Sequence, residues 1–480
     1  MASLKKEMGK GVFWSAIQKY SSMFISIAVT MVLARIFTPE QFGVIAISTV
    51  LINFLSIFST MGIGPAIIQR KDLDIEDYNN IFSFTLIVGL VLSLLFFCLA
   101  KPIARFYNDD DLIPICRILT ISLFFASVNM VPNALMSKNK RFKELAIRTF
   151  ILSVISGVFS IIAALLGFGI YSLLITPVIN SIGIFLFNRR FYPVIISRNF
   201  SLSPIKKIYS YSVYQFSFEI SNFFANNLDK LLIGKLISSA DLGYYDKSHH
   251  LMKLPTSMLT SVVSPVIQPF MSEHQDNMKQ ISDSHNAIVK IISTFSFPVA
   301  AILFFTGPEI IEVFFGKGWE RAIPCFQIFC LSLPTQMILS TSGAFWQSTN
   351  STKLLFEVGL LNTVLTLGGY IISSFLFGSI EAVAFSFVFS CVIAFFITYW
   401  LMYKTVFNVS LGDMLILLIN PLVNVLLLVV AYLFINKIHG NVFVLFVIKI
   451  VIGIVITLLF VQVSGRYDMR NFFVSLNKNR

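Results

Sequence analysis

Charge is scarce in this chain. Only 12% of its 480 residues are Asp, Glu, Lys or Arg, and histidine and cysteine occur five times each. Each shortage excludes a class of chemistry. Cys98, Cys116, Cys325, Cys330 and Cys391 lie singly in or beside apolar segments, at neither redox nor zinc spacing. They read as small core residues. His249, His250, His274, His285 and His439 fall in turns or at helix ends, with no pair at metal-ligand spacing and none expected on a buried face. No glycine-rich phosphate loop exists, which argues against direct use of a nucleotide. Nothing resembles a catalytic constellation, so no enzyme is expected. A small-residue cleavage site is missing after the N-terminal lysines, and the first apolar run is long enough to stay as a helix.

Apolar surface is what the chain has in excess: 56% of it is hydrophobic, with 50 Phe. A soluble fold cannot hide that much, whereas about 20 consecutive apolar residues cross a bilayer as a helix. Counting such windows predicts an all-α membrane protein with about 14 spans. Lys and Arg concentrate in alternate turns. With the N-terminus inside, roughly 23 fall in cytoplasmic stretches and roughly 8 outside, a positive-inside bias that puts both termini in the cytoplasm. The net charge of +12 therefore reports topology and contact with anionic lipid heads, with no nucleic acid implied.

An internal repeat organises the spans. Laying Lys19 over Glu219 (219 − 19 = 200) brings Gly43 over Gly243, Ser48 over Ser248 and Pro65 over Pro265. Further on the shift becomes 324 − 114 = 210, with Ile113-Pro114 over Ile323-Pro324 and Ser122-Leu123 over Ser332-Leu333. The order of these matches predicts two parallel six-helix lobes, 1–207 and 208–406. Residues 407–480 then hold two further helices and a cytoplasmic tail. Parallel repeats are one plan for secondary transporters.

Polar residues inside the spans supply the candidate site. In the seventh span Ser212, Gln215, Glu219, Asn222, Asn226 and Asp229 advance by three or four, which places them on one helix face. The repeat-related face of the first span carries Ser15, Lys19, Ser22 and Ser26. Serines of this kind often only glue membrane helices together. A charge at mid-bilayer costs at least about 2.5–3.5 kcal/mol, so Lys19, Glu219 and Asp229 point instead to a water-filled cavity. Lys230 and Lys253 add positive field there. The expected cavity set is Lys19, Ser22, Ser26, Gln215, Asn222, Asn226, Lys230 and Lys253, with Glu219 and Asp229 as coupling or gating residues. Arg148 and Lys290, at the mouths of their spans, read as snorkelling to the headgroups. Lys449 lies inside the last span and outside the repeat, without an assigned role.

Certain local runs carry a resemblance. Gly9-Lys10-Gly11-Val12-Phe13-Trp14, Leu33-Ala34-Arg35-Ile36-Phe37-Thr38-Pro39-Glu40-Gln41-Phe42-Gly43 and Gly62-Ile63-Gly64-Pro65-Ala66-Ile67-Ile68-Gln69-Arg70 resemble the polysaccharide transporter family. So do Leu228-Asp229-Lys230-Leu231-Leu232-Ile233-Gly234 and Leu242-Gly243-Tyr244-Tyr245 in the second half. That family belongs to the multidrug/oligosaccharidyl-lipid/polysaccharide (MOP) flippase superfamily, and the likeness is greatest to Wzx-type, WzxC-like lipopolysaccharide and exopolysaccharide flippases. The motifs are structural signatures and do not identify the sugar.

The resemblance implies a multi-pass protein of the bacterial inner membrane. It would move undecaprenyl-diphosphate-linked oligosaccharide repeat units, of O-antigen, capsule or exopolysaccharide, from the cytoplasmic to the periplasmic leaflet by alternating access. No cofactor is implied beyond a coupling ion, H+ or Na+. The partners implied are that lipid-linked oligosaccharide, the membrane lipids, and the polymerase and chain-length machinery of the same pathway. Two alternatives stay open: another MOP transporter, whether lipid II flippase or cation-coupled drug exporter, and a membrane polymerase or ligase of lipid-linked glycans.

Overall fold

The computed structural model describes the backbone of residues 2–464 except 61, 198–199, 273–277, 350 and 439; the described side chains further exclude 2–8, 59, 208–215, 218, 259–272 and 352. Among the described residues every regular element is helical. The chain forms two compact units, Met1–Gly243 and Tyr244–Arg480.

The first unit holds α1 (Ala2–Leu33), α2 (Pro39–Thr60), α3 (Ile63–Gln69), α4 (Ile75–Tyr107) and α5 (Leu112–Val128). After these come α6 (Met130–Lys138), α7 (Phe142–Leu165), α8 (Ser172–Phe191) and α9 (Ser203–Leu236), and the first turn of α10 (Ser239–Ser272). α4 packs on α5, α1 on α7, and α7 on α8. Asp74 and Asp77 close a reciprocal capping box that fixes where α4 begins, a device worth about 0.5–2 kcal/mol. Ile67, Ile81, Phe82 and Val131 form a core between α3, α4 and α6. Leu90, Val91 and Leu94 of α4 are exposed, as a helix bathed in lipid tails requires.

The second unit continues α10 and adds α11 (Met278–Phe305), α12 (Gly307–Phe315), α13 (Ala322–Cys330), α14 (Leu333–Leu339) and α15 (Ser342–Ser348). It ends with α16 (Thr352–Leu376), α17 (Ile380–Leu401), α18 (Leu411–Ile416), α19 (Ile419–Ile435) and α20 (Val442–Val463). α17 runs on as a π-helix through Met402–Phe407. The core packs Ile338, Phe345, Trp346, Phe395 and Tyr399 between α11, α14, α15 and α17. α19 and α20, the two helices outside the repeat, lie against α11 and α12.

Two spans are broken, and proline explains both. α5 and α6 meet at 42°, and α13 meets α14 and α15 at 47°. α5 ends at Val128 and α13 at Cys330, each four residues before a proline, Pro132 and Pro334. A proline cannot donate to the carbonyl four residues back and its ring collides with it, so the helix stops there. Among the described residues ten helices are long and apolar enough to cross a bilayer, or twelve if each bent pair is one span. The sequence reading of about 14 also counted α9 and α10, 34 residues each, which are more polar than the helices in that count. The chain is a multi-pass, all-α membrane protein.

Candidate functional site

Helix α9 is anchored by aromatics and polar beside them. Phe54 of α2 packs on Phe223 and Phe224 at ring distances of 5.1 and 5.7 Å, and Phe58 packs on Phe216 at 5.2 Å. Asn222 and Asn226 are exposed, and Asn226 Nδ2 donates to the Asn222 carbonyl oxygen. Glu219 is half-buried, with Thr60 Oγ1 donating to its Oε2 at 3.5 Å. Lys230 is half-buried and Asp229 fully buried. The side chains of Ser212 and Gln215 lie outside the described residues.

α1 shows the same division. One face meets α7, where Gln18 Nε2 donates to Thr149 Oγ1 at 3.0 Å and Val29 fills the space over Gly157. Ser15, Lys19 and Ser26 are exposed on another, and half-buried Ser22 donates to the Lys19 carbonyl oxygen. Lys253, half-buried, belongs to the second unit. α1 and α9 thus expose carboxamides, hydroxyls and an ammonium, on α1 beside exposed apolar side chains such as Phe13 and Phe24. Such a surface can bond a hydrated, anionic ligand, and lipid tails can satisfy none of it.

The starts of α2 and α10 form a second feature. Thr38 and Gln41 exchange hydrogen bonds in a capping box. At the matching position 200 residues later (238 − 38 = 200), the Asp241 N–H donates to Ser238 Oγ, which in turn donates to Asp241 Oδ2. The two helix starts cross through their glycines. A methyl group on Gly43 would lie 1.7 Å from the Ser239 carbonyl oxygen, and one on Gly243 would lie 1.9 Å from that of Pro39. Pro39 and Ser239 are themselves repeat-related, so the contact is reciprocal, as a two-fold relation between these helix starts demands. The α4–α5 turn closes over it. Ser239 Oγ donates to Asp109 Oδ2 at 3.4 Å, and Lys235 Nζ donates to the Phe106 carbonyl oxygen. A cleft of about 840 Å³ lined by Glu40, Asp109, Asp110, Lys235 and Ser238 runs beside it. Burial there pushes the Asp109 carboxyl up from its ordinary value.

Three charged or titratable groups depart from the sequence reading. Arg148 does not snorkel. It is 5% exposed, and its Nη1 donates to Asn188 Oδ1 at 2.6 Å and Asn133 Oδ1 at 3.1 Å. Lys449 has a buried partner: its Nζ donates to Glu309 Oε1 at 2.6 Å and to the Phe305 carbonyl oxygen at 3.2 Å. His285, expected near a helix end and unburied, is 0% exposed inside α11, with its Nδ1 2.9 Å from Tyr403 Oη. Phe345, Tyr399, Tyr403 and Phe407 surround its ring. His249 is also buried, stacked on Phe329. The asparagines and the glutamate that capture Arg148 and Lys449 lie 15 to 140 residues away, beyond the reach of local spacing. His274 and His439 fall outside the described residues.

Bent spans, polar helix faces and crossed glycines characterise this helical membrane fold. The lipid II flippase MurJ, solved in an inward closed conformation, shares that fold: the TM-score is 0.73 over 95% of this chain and 99% of MurJ, at 17% identity. Residues 32–324 match the polysaccharide biosynthesis protein family, and the chain belongs to it. Among its relatives, the lipopolysaccharide biosynthesis protein WzxC of Escherichia coli is 22% identical, the match covering 85% of this chain and 83% of WzxC. The succinoglycan biosynthesis transport protein ExoT of Rhizobium meliloti is 23% identical over 76% of this chain and 74% of its own.

Proposed function

We propose that this protein is a flippase of the bacterial inner membrane that moves an undecaprenyl-diphosphate-linked oligosaccharide from the cytoplasmic to the periplasmic leaflet. The observation that carries the reading is the exposed polar face of α1 and α9 in a protein built of membrane-spanning helices. A diphosphate-sugar head is anionic and heavily hydrated, and needs just such donors and acceptors on its way. The lipid tail needs none. Lys19, Lys230 and Lys253 supply positive field to the diphosphate, while Gln215, Asn222 and Asn226 bond sugar hydroxyls. Family membership and the names of WzxC and ExoT support a polysaccharide precursor as cargo. Both termini lie in the cytoplasm, as the distribution of Lys and Arg suggests, and the lobes 1–207 and 208–406 rock to expose the site alternately.

Deleting the gene tests this directly. Lipid-linked oligosaccharide is expected to accumulate on the cytoplasmic leaflet; accumulation of flipped, unpolymerised units would instead indicate a polymerase. Lys19→Ala, inserted at normal abundance, should lower surface-glycan export at least fivefold, with Lys19→Arg retaining more than Lys19→Gln. Full export by Lys19→Ala removes Lys19 from the cargo path.

Glu219 is the proposed coupling carboxylate, taking up H+ or Na+ as transport proceeds. Glu219→Gln should leave export indifferent to an imposed proton or sodium gradient that accelerates the wild-type protein. An undiminished response in Glu219→Gln vesicles would place coupling elsewhere.

A further inference from the structure

The polar knot around Arg148 is not part of the face just described. Nη1 makes both of its hydrogen bonds, and both acceptors are neutral carboxamides. Asn188 in turn donates to Asn129 Oδ1 at 2.8 Å, which fixes its oxygen toward the guanidinium. Nε is buried without a partner. Among the described residues no carboxylate pairs with Arg148; the nearest in sequence, Glu144, is engaged by Arg141 at 3.4 Å. A guanidinium held this way is strained electrostatically: two amide dipoles replace part of its hydration but none of its counter-charge.

The surroundings indicate what brings the missing charge. Lys140, Lys143, Arg189 and Arg190, all exposed, rim the ends of α6, α7 and α8 beside it. On the same stretch of α7, Ile147, Phe150 and Ile151 are exposed apolar side chains of a lipid-facing helix. An anion arriving between a basic rim and a lipid-facing flank is one attached to a lipid. The edge of Arg148 that remains unused, Nε with Nη2, is the planar two-donor fork that matches two oxygens of a phosphate.

We propose that Arg148, oriented by Asn133 and Asn188, is a seat for the phosphate oxyanion of a lipid headgroup, engaged through its Nε–Nη2 edge. Nε lies covered in this arrangement, so the seat opens as the headgroup enters. The phosphate belongs either to a bulk anionic phospholipid or to the diphosphate of a polyprenyl carrier, and the chemistry at Arg148 is the same for both.

The test uses the full-length purified protein in native mass spectrometry, titrated with phosphatidylglycerol, with undecaprenyl diphosphate, and with phosphatidylcholine as the zwitterionic control. Wild-type protein is expected to take one anionic lipid at least tenfold more tightly than phosphatidylcholine, and Arg148→Met to lose at least fivefold of that preference, any remainder for undecaprenyl diphosphate belonging to the Lys19 face. Arg148→Lys keeps the charge and a donor for the asparagines but lacks the fork, and should lose at least fivefold. Preference for phosphatidylglycerol assigns the seat to bulk lipid; preference for undecaprenyl diphosphate assigns it to the carrier. A monodisperse Arg148→Lys protein with wild-type preference overturns the proposal, as does a wild-type protein with no preference. The readout is binding, so a protein that binds here yet exports nothing would end the flippase reading and leave this site intact.

Discussion

Gly43→Ala is expected to cut glycan export more than tenfold, and Gly243→Ala to do the same. In each case the new methyl group meets a backbone carbonyl rather than a side chain able to turn away. Packed interiors absorb an added methylene poorly; overpacking typically costs about 1–3 kcal/mol. Between two helix starts each held by a side-chain cap the backbones have little freedom to retreat, so the loss belongs at the upper end of that range. Small residues that let membrane helices touch backbone to backbone are a recurring way to build such contacts. Because the crossing is reciprocal, the two substitutions should have matching effects, and Gly64→Ala, with open space around its Cβ, serves as the control. Export is measured together with membrane abundance and melting temperature in detergent. Wild-type behaviour of Gly43→Ala, or an equal loss in Gly64→Ala, would contradict the role given to the crossing.

Lys449→Ala should destabilise the second unit by about 3–5 kcal/mol, since removing one member of a buried ion pair leaves the other charge uncompensated. Glu309 Oε2 already has no partner, so its carboxylate depends on Lys449 for what compensation it receives. Glu309→Leu combined with Lys449→Met removes both charges at similar volume and should recover most of the loss, because an apolar replacement of a buried pair is often neutral. Thermal unfolding of the three purified variants decides the matter. Equal destabilisation in the single and double variants would show that packing of α20 onto α12, and not charge, is what Lys449 contributes.

What could be read in advance divides along the range of the physical signal. Apolar windows and the offset of 200 depend only on order along the chain, and they led to a helical membrane fold and to Gly43 and Gly243. The polar stripe of α9 was legible because three- and four-residue steps translate directly into a helix face. Its aromatic counterpart was not: in a chain with 50 Phe, nothing local marks Phe54, Phe58, Phe216 and Phe223 as the ones that meet. Arg148 and His285 were misread for a related reason. A cation near the end of a span and a histidine near the start of one look interfacial, and only partners on other helices decide that they face inward. Three asparagines settle the first case, and an aromatic box the second. Proline alone did not mark the bends: both begin four residues before Pro132 and Pro334, yet α4, α8 and α11 run on through Pro102, Pro177 and Pro298.

The pairing of Glu309 with Lys449 also sets a timetable. The two residues are separated by 140 positions, so the carboxylate leaves the ribosome well before its ammonium is made. At roughly 5–20 residues per second, the interval is on the order of ten seconds. During it α12 carries an acid whose ammonium partner has not yet been made, so the buried pair cannot close. Arrival of α20 ends the interval. α20 is thus the step that completes the charge balance of its unit, and a chain stalled short of it would present quality-control proteases with an acid in α12 that has lost its partner.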